Sequence, residues 1–308
     1  MSTKRTILAV ALAALIGIGV SLFLSHLVGA GLPVKPNRTG APAAGGPQRV
    51  ICMSPSVTEL TFALGEGDRV VGVSQHTVHP PEALDRPRCG GFVNPNFERI
   101  MALQPDLVVT QGLAEDVRRF ADEQGIKCLT LDITDLDSIF SAIRRLGRAL
   151  HCPDKAAELA RRMSTDLDRV RSRVSDRPRV PAFVVIGREP GSLGNLTTIG
   201  PGSYLADVLE LAGGRNIFSD LSQRYATVNK ESLAQRRPEV IVELHGDGMM
   251  GTQKKQQVRR TWSQMSALPA VRQGRVHVVD GTYALIPGPR VIKLARELAR
   301  HLHPQPTP

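Results

Sequence analysis

Asn96-Phe97-Glu98-Arg99-Ile100, leading into Pro105-Asp106-Leu107-Val108-Val109, returns in the second half of the chain as Asn229-Lys230-Glu231-Ser232-Leu233 and Pro238-Glu239-Val240-Ile241-Val242. Asparagine, glutamate, proline, an acid and then an apolar run keep one register in both places. Isolated coincidence rarely holds so many positions in step, so the chain reads as two related units. In each copy the asparagine suits a helix N-cap, and the glutamate falls in the first turn, where the helix dipole favours a negative charge. The apolar run after the proline and the acid reads as a strand buried on both faces, the signature of a parallel sheet.

Outward from these copies the same alternation continues. Val50 to Met53, Val70 to Val73, Leu107 to Thr110 and Cys128 to Leu131 are short apolar runs. Between them Ser56 to Leu64, Phe97 to Leu103, Glu115 to Gln124 and Ser138 to Leu150 carry helical spacing, broken at Gly65, Gly112 and Gly125. The second half predicts strands at Ala182 to Ile186, Val240 to Leu244 and Val276 to Val279, with helices at Ser203 to Leu211, Glu231 to Gln235, Val258 to Met265 and Arg290 to His301. The fold class is α/β, in two pseudo-equivalent lobes. Ala156, Ala160, Met163, Leu167, Val170 and Val174 form one apolar stripe, which predicts a single long helix joining them. The expected bounds are an N lobe over 49–152, a linking helix over 153–177 and a C lobe over 178–303.

Lys4 and Arg5 precede an almost uncharged run from Ile7 to Ala30, a membrane-targeting segment that places the body of the chain outside the cytoplasm. Residues 1–30 serve as a cleaved signal peptide or as an anchor in the inner membrane through 7–30; the residues leave both open. Pro33, Pro36, Pro42 and Pro47 among Gly and Ala make 31–48 a tether. In an oxidising compartment disulfides are permitted among Cys52, Cys89, Cys128 and Cys152, and no pairing is legible. The absence of CxxC argues against a cysteine-based metal site. The formal charge of +10 is scattered, with no nucleic-acid motif or basic block, so nucleic acid is not an expected partner.

Arg49-Val50-Ile51 running into Ser54-Pro55-Ser56-Val57-Thr58-Glu59-Leu60, then Val71-Gly72-Val73-Ser74, Pro80-Pro81 and the two repeats above resemble the Fe/B12 periplasmic-binding domain family, the helical-backbone metal receptors, most nearly its vitamin B12-binding branch. The resemblance covers about residues 49 to 303. It implies two lobes of the class III periplasmic-binding-protein type and a ligand held between them, a cobalt corrinoid or ferric chelate. It further implies delivery to an ABC permease dimer with cytoplasmic ATPase subunits.

Carried over position by position, the resemblance implies docking of Glu98 and Glu231 onto permease arginines, and ligand contacts from His76, Phe92 and Thr282-Tyr283-Ala284-Leu285. Arg290, in the turn beside that segment, is the arginine best placed by sequence to meet an anionic chelate. Arg188 and Arg224 are further candidates. His76, where the family has a tyrosine-like residue, and His79 are spaced HxxH, and His245 follows a strand of the other lobe. A direct contact to metal or haem is one reading of them and a hydrogen-bonding role is the other. No catalytic residue, resident metal site or intrinsic cofactor is expected.

Three further classes stay in view: a haem- or metal-binding receptor of the same fold, a membrane-tethered adaptor or sensor, and an anchored enzyme. No GxSxG elbow, HExxH or Walker lysine motif supports the last.

Overall fold

Four apolar runs of the first half pair as parallel strands: β1 (Val50–Cys52), β2 (Val70–Val73), β3 (Leu107–Gln111) and β4 (Lys127–Leu131), in the order β2-β1-β3-β4. This is a computed structural model, and it describes residues 46–91 and 93–304. The targeting segment 1–30, most of the tether and Phe92 lie outside the described residues. Ahead of β1 the backbone N–H groups of Gln48 and Arg49 donate to the two carboxylate oxygens of Asp106, at 2.8 and 3.0 Å.

Helices α1 (Pro55–Ala63), α2 (Phe97–Ala102), α3 (Glu115–Glu123) and α4 (Leu136–Ala149) connect and cover this sheet. Ser54 caps α1 by accepting from the Val57 amide at 3.2 Å, with Pro55 at the first helical position, where no N–H is needed. Asp135 and Ser138 close a reciprocal capping box at the start of α4.

The C-terminal half contains β5 (Val180–Gly187), β6 (Leu196–Ile199), β7 (Gly214–Asn216), β8 (Tyr225–Val228), β9 (Val240–His245) and β10 (Val276–Asp280). Its parallel strands run β7-β5-β9-β10, which repeats β2-β1-β3-β4 strand for strand. The antiparallel pair β6 and β8 is added on the upper part of β5, where β7 has already ended. Sequence periodicity does not foresee these two strands, because threonines interrupt Leu196 to Ile199 and Tyr225 to Val228, which therefore lack the continuous apolar run of the parallel strands.

The helices of this half are α6 (Tyr204–Leu211), α7 (Lys230–Arg236), α8 (Thr252–Trp262), α9 (Pro269–Arg272) and α10 (Val291–Leu302), numbered after the linking helix α5 (Pro153–Ser172). Helix α8 begins at Thr252, not at Val258 as predicted. Its first turns, through Gln257, are polar and mostly exposed, so they leave no apolar spacing to read.

Among the described residues the chain passes from the first sheet to the second through α5 alone. Ala156, Leu159, Met163, Leu167 and Val170 bury one stripe of this helix. It stops at Ser172, and residues 173–177 turn instead of extending it. Against α4 the approach is close enough to require a glycine: a Cβ on Gly147 would stand 2.3 Å from the Ala156 Cβ. Helix α10 returns along α5, fastened by Arg296 to Asp166 at 2.9 Å. One apolar cluster thus runs from Val50 in the first lobe through α5 to Leu302 in the second. A shared core stiffens the lobe junction and favours small lobe displacements over wide hinge closure.

All four cysteines are free thiols. Burial pushes the Cys52 thiol up to about 12 and the Cys89 thiol up to about 11, which makes both poor nucleophiles.

Candidate functional site

The two sheets turn the C-terminal ends of their strands toward each other. The Tyr204 amide at the head of α6 donates to the Thr134 carbonyl beyond β4 at 2.7 Å, and the Leu136 amide donates to Asp207 Oδ2 at 2.9 Å. Glu59 on α1 receives Arg290 from the segment ahead of α10. The space above these contacts is bounded by the connections that leave the strand ends, where open parallel sheets hold ligands.

Those connections carry an unusual surface. Five of the six large apolar side chains exposed among the described residues lie in them: Val78, Leu84 and Val93 after β2, Leu113 after β3 and Met249 after β9. Leu113, Met249 and Val93 are 88%, 83% and 78% exposed. The sixth is Tyr225, at the start of β8. Burial in the first place, then nearby Tyr225 and Glu59, holds the Tyr204 hydroxyl well above the usual phenol range. Tyr204, Tyr225 and Glu59 therefore gather at the lobe junction. Apolar side chains held in water on both lobes mark a face built to be covered. A residue-type scan passes over these positions, since none belongs to a motif. The legible signal is a large apolar residue placed in the loop just beyond a predicted strand.

The residues singled out by sequence divide. His76 is exposed on the loop after β2, with Nε2 3.0 Å from the Gln75 side-chain amide and its backbone N–H donating to Ser74 Oγ. Leu285 is half-buried and packs beside Gly246 of the β9 loop. Thr282 accepts from Arg290 Nη1 at 2.7 Å. Ala284 is fully buried in the core, the least accessible member of that segment. Tyr283 is half-buried, and its hydroxyl donates to the Glu297 carboxylate on α10. Burial and that carboxylate push the phenol up to about 12. Its polar end belongs to the C lobe.

Arg290 also differs from expectation. Its Nε donates to Glu59 Oε2 at 2.8 Å and its Nη2 to Glu59 Oε1, with both side chains buried, so its charge is already answered by protein. Burial pushes the Glu59 carboxyl up against the pull of Arg290 and Lys293. Arg188 likewise pairs with Glu243, and Arg224 donates to the Gly202 carbonyl at 2.9 Å. His76 and His79 do not converge. His79 turns to a cavity of about 290 Å³ with Glu59, Phe62 and Arg290, where burial, then Arg290 and Lys293, lower its imidazole pKa. No group of three or more metal-ligating side chains occurs among the described residues.

Glu98 and Glu231 occupy equivalent places. Asn96 Oδ1 accepts from the Arg99 amide at 2.8 Å and Asn229 Oδ1 accepts from the Ser232 amide at 2.9 Å, so α2 and α7 start alike. Both glutamates are exposed, and neither forms an ion pair among the described residues.

Residues 50–283 match the periplasmic binding protein family over most of the chain. The chain belongs to that family. Among relatives of this periplasmic binding protein, the vitamin B12-binding protein of Yersinia pestis (strain Pestoides F) is 28% identical over 265 residues, covering 85% of this chain and 88% of the relative. A periplasmic haem-binding protein from Pseudomonas aeruginosa superposes with a TM-score of 0.72 at 25% identity, covering 85% of this chain and 95% of that one. An ABC-type Fe3+-hydroxamate transport system protein from Saccharomonospora viridis DSM 43017 gives a TM-score of 0.66 at 26% identity, covering 84% and 94%.

Proposed function

We propose that this periplasmic binding protein is the extracytoplasmic substrate-binding component of an ABC importer and that its cargo is a metal chelate of the corrinoid, haem or ferric hydroxamate class. The observation that carries this reading is the set of large apolar side chains left exposed near the strand ends of both lobes. Val78, Val93, Leu113, Met249 and Tyr225 suit a broad, largely apolar ligand and would be costly to leave uncovered for a small polar solute. The relatives named for a role bind or transport such chelates, which supports a receptor and not an enzyme.

His76, Phe92 and the Thr282 to Leu285 segment remain the proposed ligand-facing loops, with Thr282 bonded to Arg290 of the lobe-joining pair. Glu98 and Glu231 are the proposed docking acids. Matched caps place one exposed carboxylate at the same point of each lobe, and a pseudo-two-fold pair of charges suits a dimeric permease. The N-terminal segment is the proposed export signal or anchor. Among the described residues no helix is long and apolar enough to cross a membrane.

Deleting the chain from its host should abolish uptake of one metal chelate, and supplying it in trans should restore that uptake. Undiminished uptake of every chelate by the deletion strain would contradict the reading.

A further inference from the structure

Within the C lobe, β5 and β9 lie side by side, yet the chain leaves β5 toward β6 and β7 and leaves β9 toward β10. Strands that part in this way open a crevice at their C-terminal ends, the topological switch point. A cavity of about 390 Å³ sits there. Ile186, Leu244, Met250 and Val258 supply apolar wall, Lys254 stands exposed at its side, and His245 at the end of β9 belongs to the lining.

That ring is held from behind. His245 Nε2 lies 2.9 Å from Glu243 Oε1. The same buried carboxylate accepts from Arg188 Nε on both oxygens at 3.0 Å and from Trp262 Nε1 at 2.8 Å. With Arg188 donating to both of its oxygens and Trp262 to one, Glu243 is the acceptor toward His245 as well, and Nε2 carries the hydrogen. In the neutral imidazole the free lone pair then belongs to Nδ1, which has no hydrogen-bond partner among the described residues. Arg188 and Trp262 already satisfy the carboxylate from two sides, so His245 is not needed to neutralise it. An imidazole whose one N–H is fixed by a carboxylate and whose other nitrogen is unpaired, in a residue that lines a cavity, has the arrangement that orients a histidine toward a metal and raises its donor strength.

We propose that His245 is a direct ligand to the metal of the cargo, taking an open coordination position of a chelate seated against this cavity. The inference rests on the chelate-receptor reading and deepens it. The cargo is then a complex with an exchangeable axial site, a ferric porphyrin or an aquo-corrinoid, and not a coordinatively saturated ferric trihydroxamate. Ligation exchanges a bound water for the Nδ1 lone pair and leaves the metal's oxidation state unchanged.

The test titrates the purified chain with ferric protoporphyrin, diaquacobinamide and a ferric trihydroxamate, recording visible spectra alongside affinity for wild type and His245→Ala. An open chelate should bind wild type with the spectral change of imidazole replacing water. His245→Ala should lose that change and weaken binding by at least the roughly 10–100-fold that loss of a mere orienting partner costs. Added free imidazole should restore the spectrum, which a purely structural role for His245 would not produce. Glu243→Gln, which keeps the shape, should shift the spectrum by less. An unchanged bound spectrum in His245→Ala overturns the proposal. Binding of the trihydroxamate alone also overturns it while leaving the importer reading intact, whereas binding of no chelate defeats that reading as well.

Discussion

Arg290 and Glu59, 231 positions apart in sequence, meet as a two-point ion pair that joins the lobes, with Nε donating to Oε2 at 2.8 Å and Nη2 to Oε1. Their side chains are 11% and 2% exposed. A buried pair of this kind contributes little net stability, because desolvation offsets the attraction, but removing one partner strands a charge. Glu59→Ala and Arg290→Ala should each lower the unfolding free energy by about 3–5 kcal/mol. The double variant Glu59→Leu with Arg290→Leu should cost less than the two singles combined. Urea denaturation reads all three. If Arg290→Ala kept full stability and lost only ligand affinity, Arg290 would be a ligand contact and not a lobe clamp.

A second expectation concerns acid. His277 stacks on His301 with ring centroids 4.2 Å apart, and burial, with His301, Arg275 and Arg259 around it, holds its imidazole down at about 4 from 6.5. Glu297 faces His301 from the same helix. The unfolded chain takes up this proton near pH 6.5 and the folded chain only near 4, so the unfolded state binds more protons between those values. Stability from this group is present above pH 6.5, falls as the pH drops toward 4 and levels off below. His277→Phe, which keeps the stack, should flatten that part of the profile measured by urea midpoints. An identical slope in wild type and variant would remove His277 as its source.

At the cleft, Tyr225→Ala and Phe92→Ala should each weaken chelate binding by about 1–3 kcal/mol if their rings are central anchors. Stability should move by no more than about 0.5 kcal/mol for the exposed Tyr225. Tyr283→Phe should behave differently, leaving affinity unchanged and costing on the order of 1 kcal/mol of stability through the lost bond to Glu297. Calorimetric titration paired with thermal melts separates the two patterns. Unchanged affinity in both Tyr225→Ala and Phe92→Ala would move the site elsewhere.

For docking, Glu98→Arg and Glu231→Arg should leave ligand affinity at the wild-type value while uptake falls, with the double variant the most impaired. Association with permease-containing vesicles should weaken as salt rises, because both carboxylates are exposed and screened. Normal uptake by the double variant would show that the acids only stabilise helix starts.

The architecture was largely legible because its signals are local and repeated. Asn96 and Asn229 announce the two helix starts, and the stripe from Ala156 to Val170 announces the bridge. The site was less so, for a physical reason. Arg290 reads as a free cation until the fold brings Glu59 to it, and Ala284 reads as a loop residue until the core closes over it. His245 is one histidine at a strand end until Glu243, Arg188 and Trp262 converge behind it from three elements. Apart from Glu243, two residues before His245, these partners are distant in sequence and leave no spacing to count. The strands β6 and β8 escaped notice for a different reason, since threonines interrupt their short apolar runs.

The most direct measurement is equilibrium binding of the purified chain to a panel of cobalamin, cobinamide, ferric protoporphyrin and ferric hydroxamates, with amino acids and sugars as controls. One chelate class should bind with 1:1 stoichiometry and a Kd on the order of 1 μM or tighter. That chelate should be recovered chemically unaltered, and the controls should not bind. Failure of every chelate to bind, or conversion of any of them by the chain, would contradict a chelate receptor.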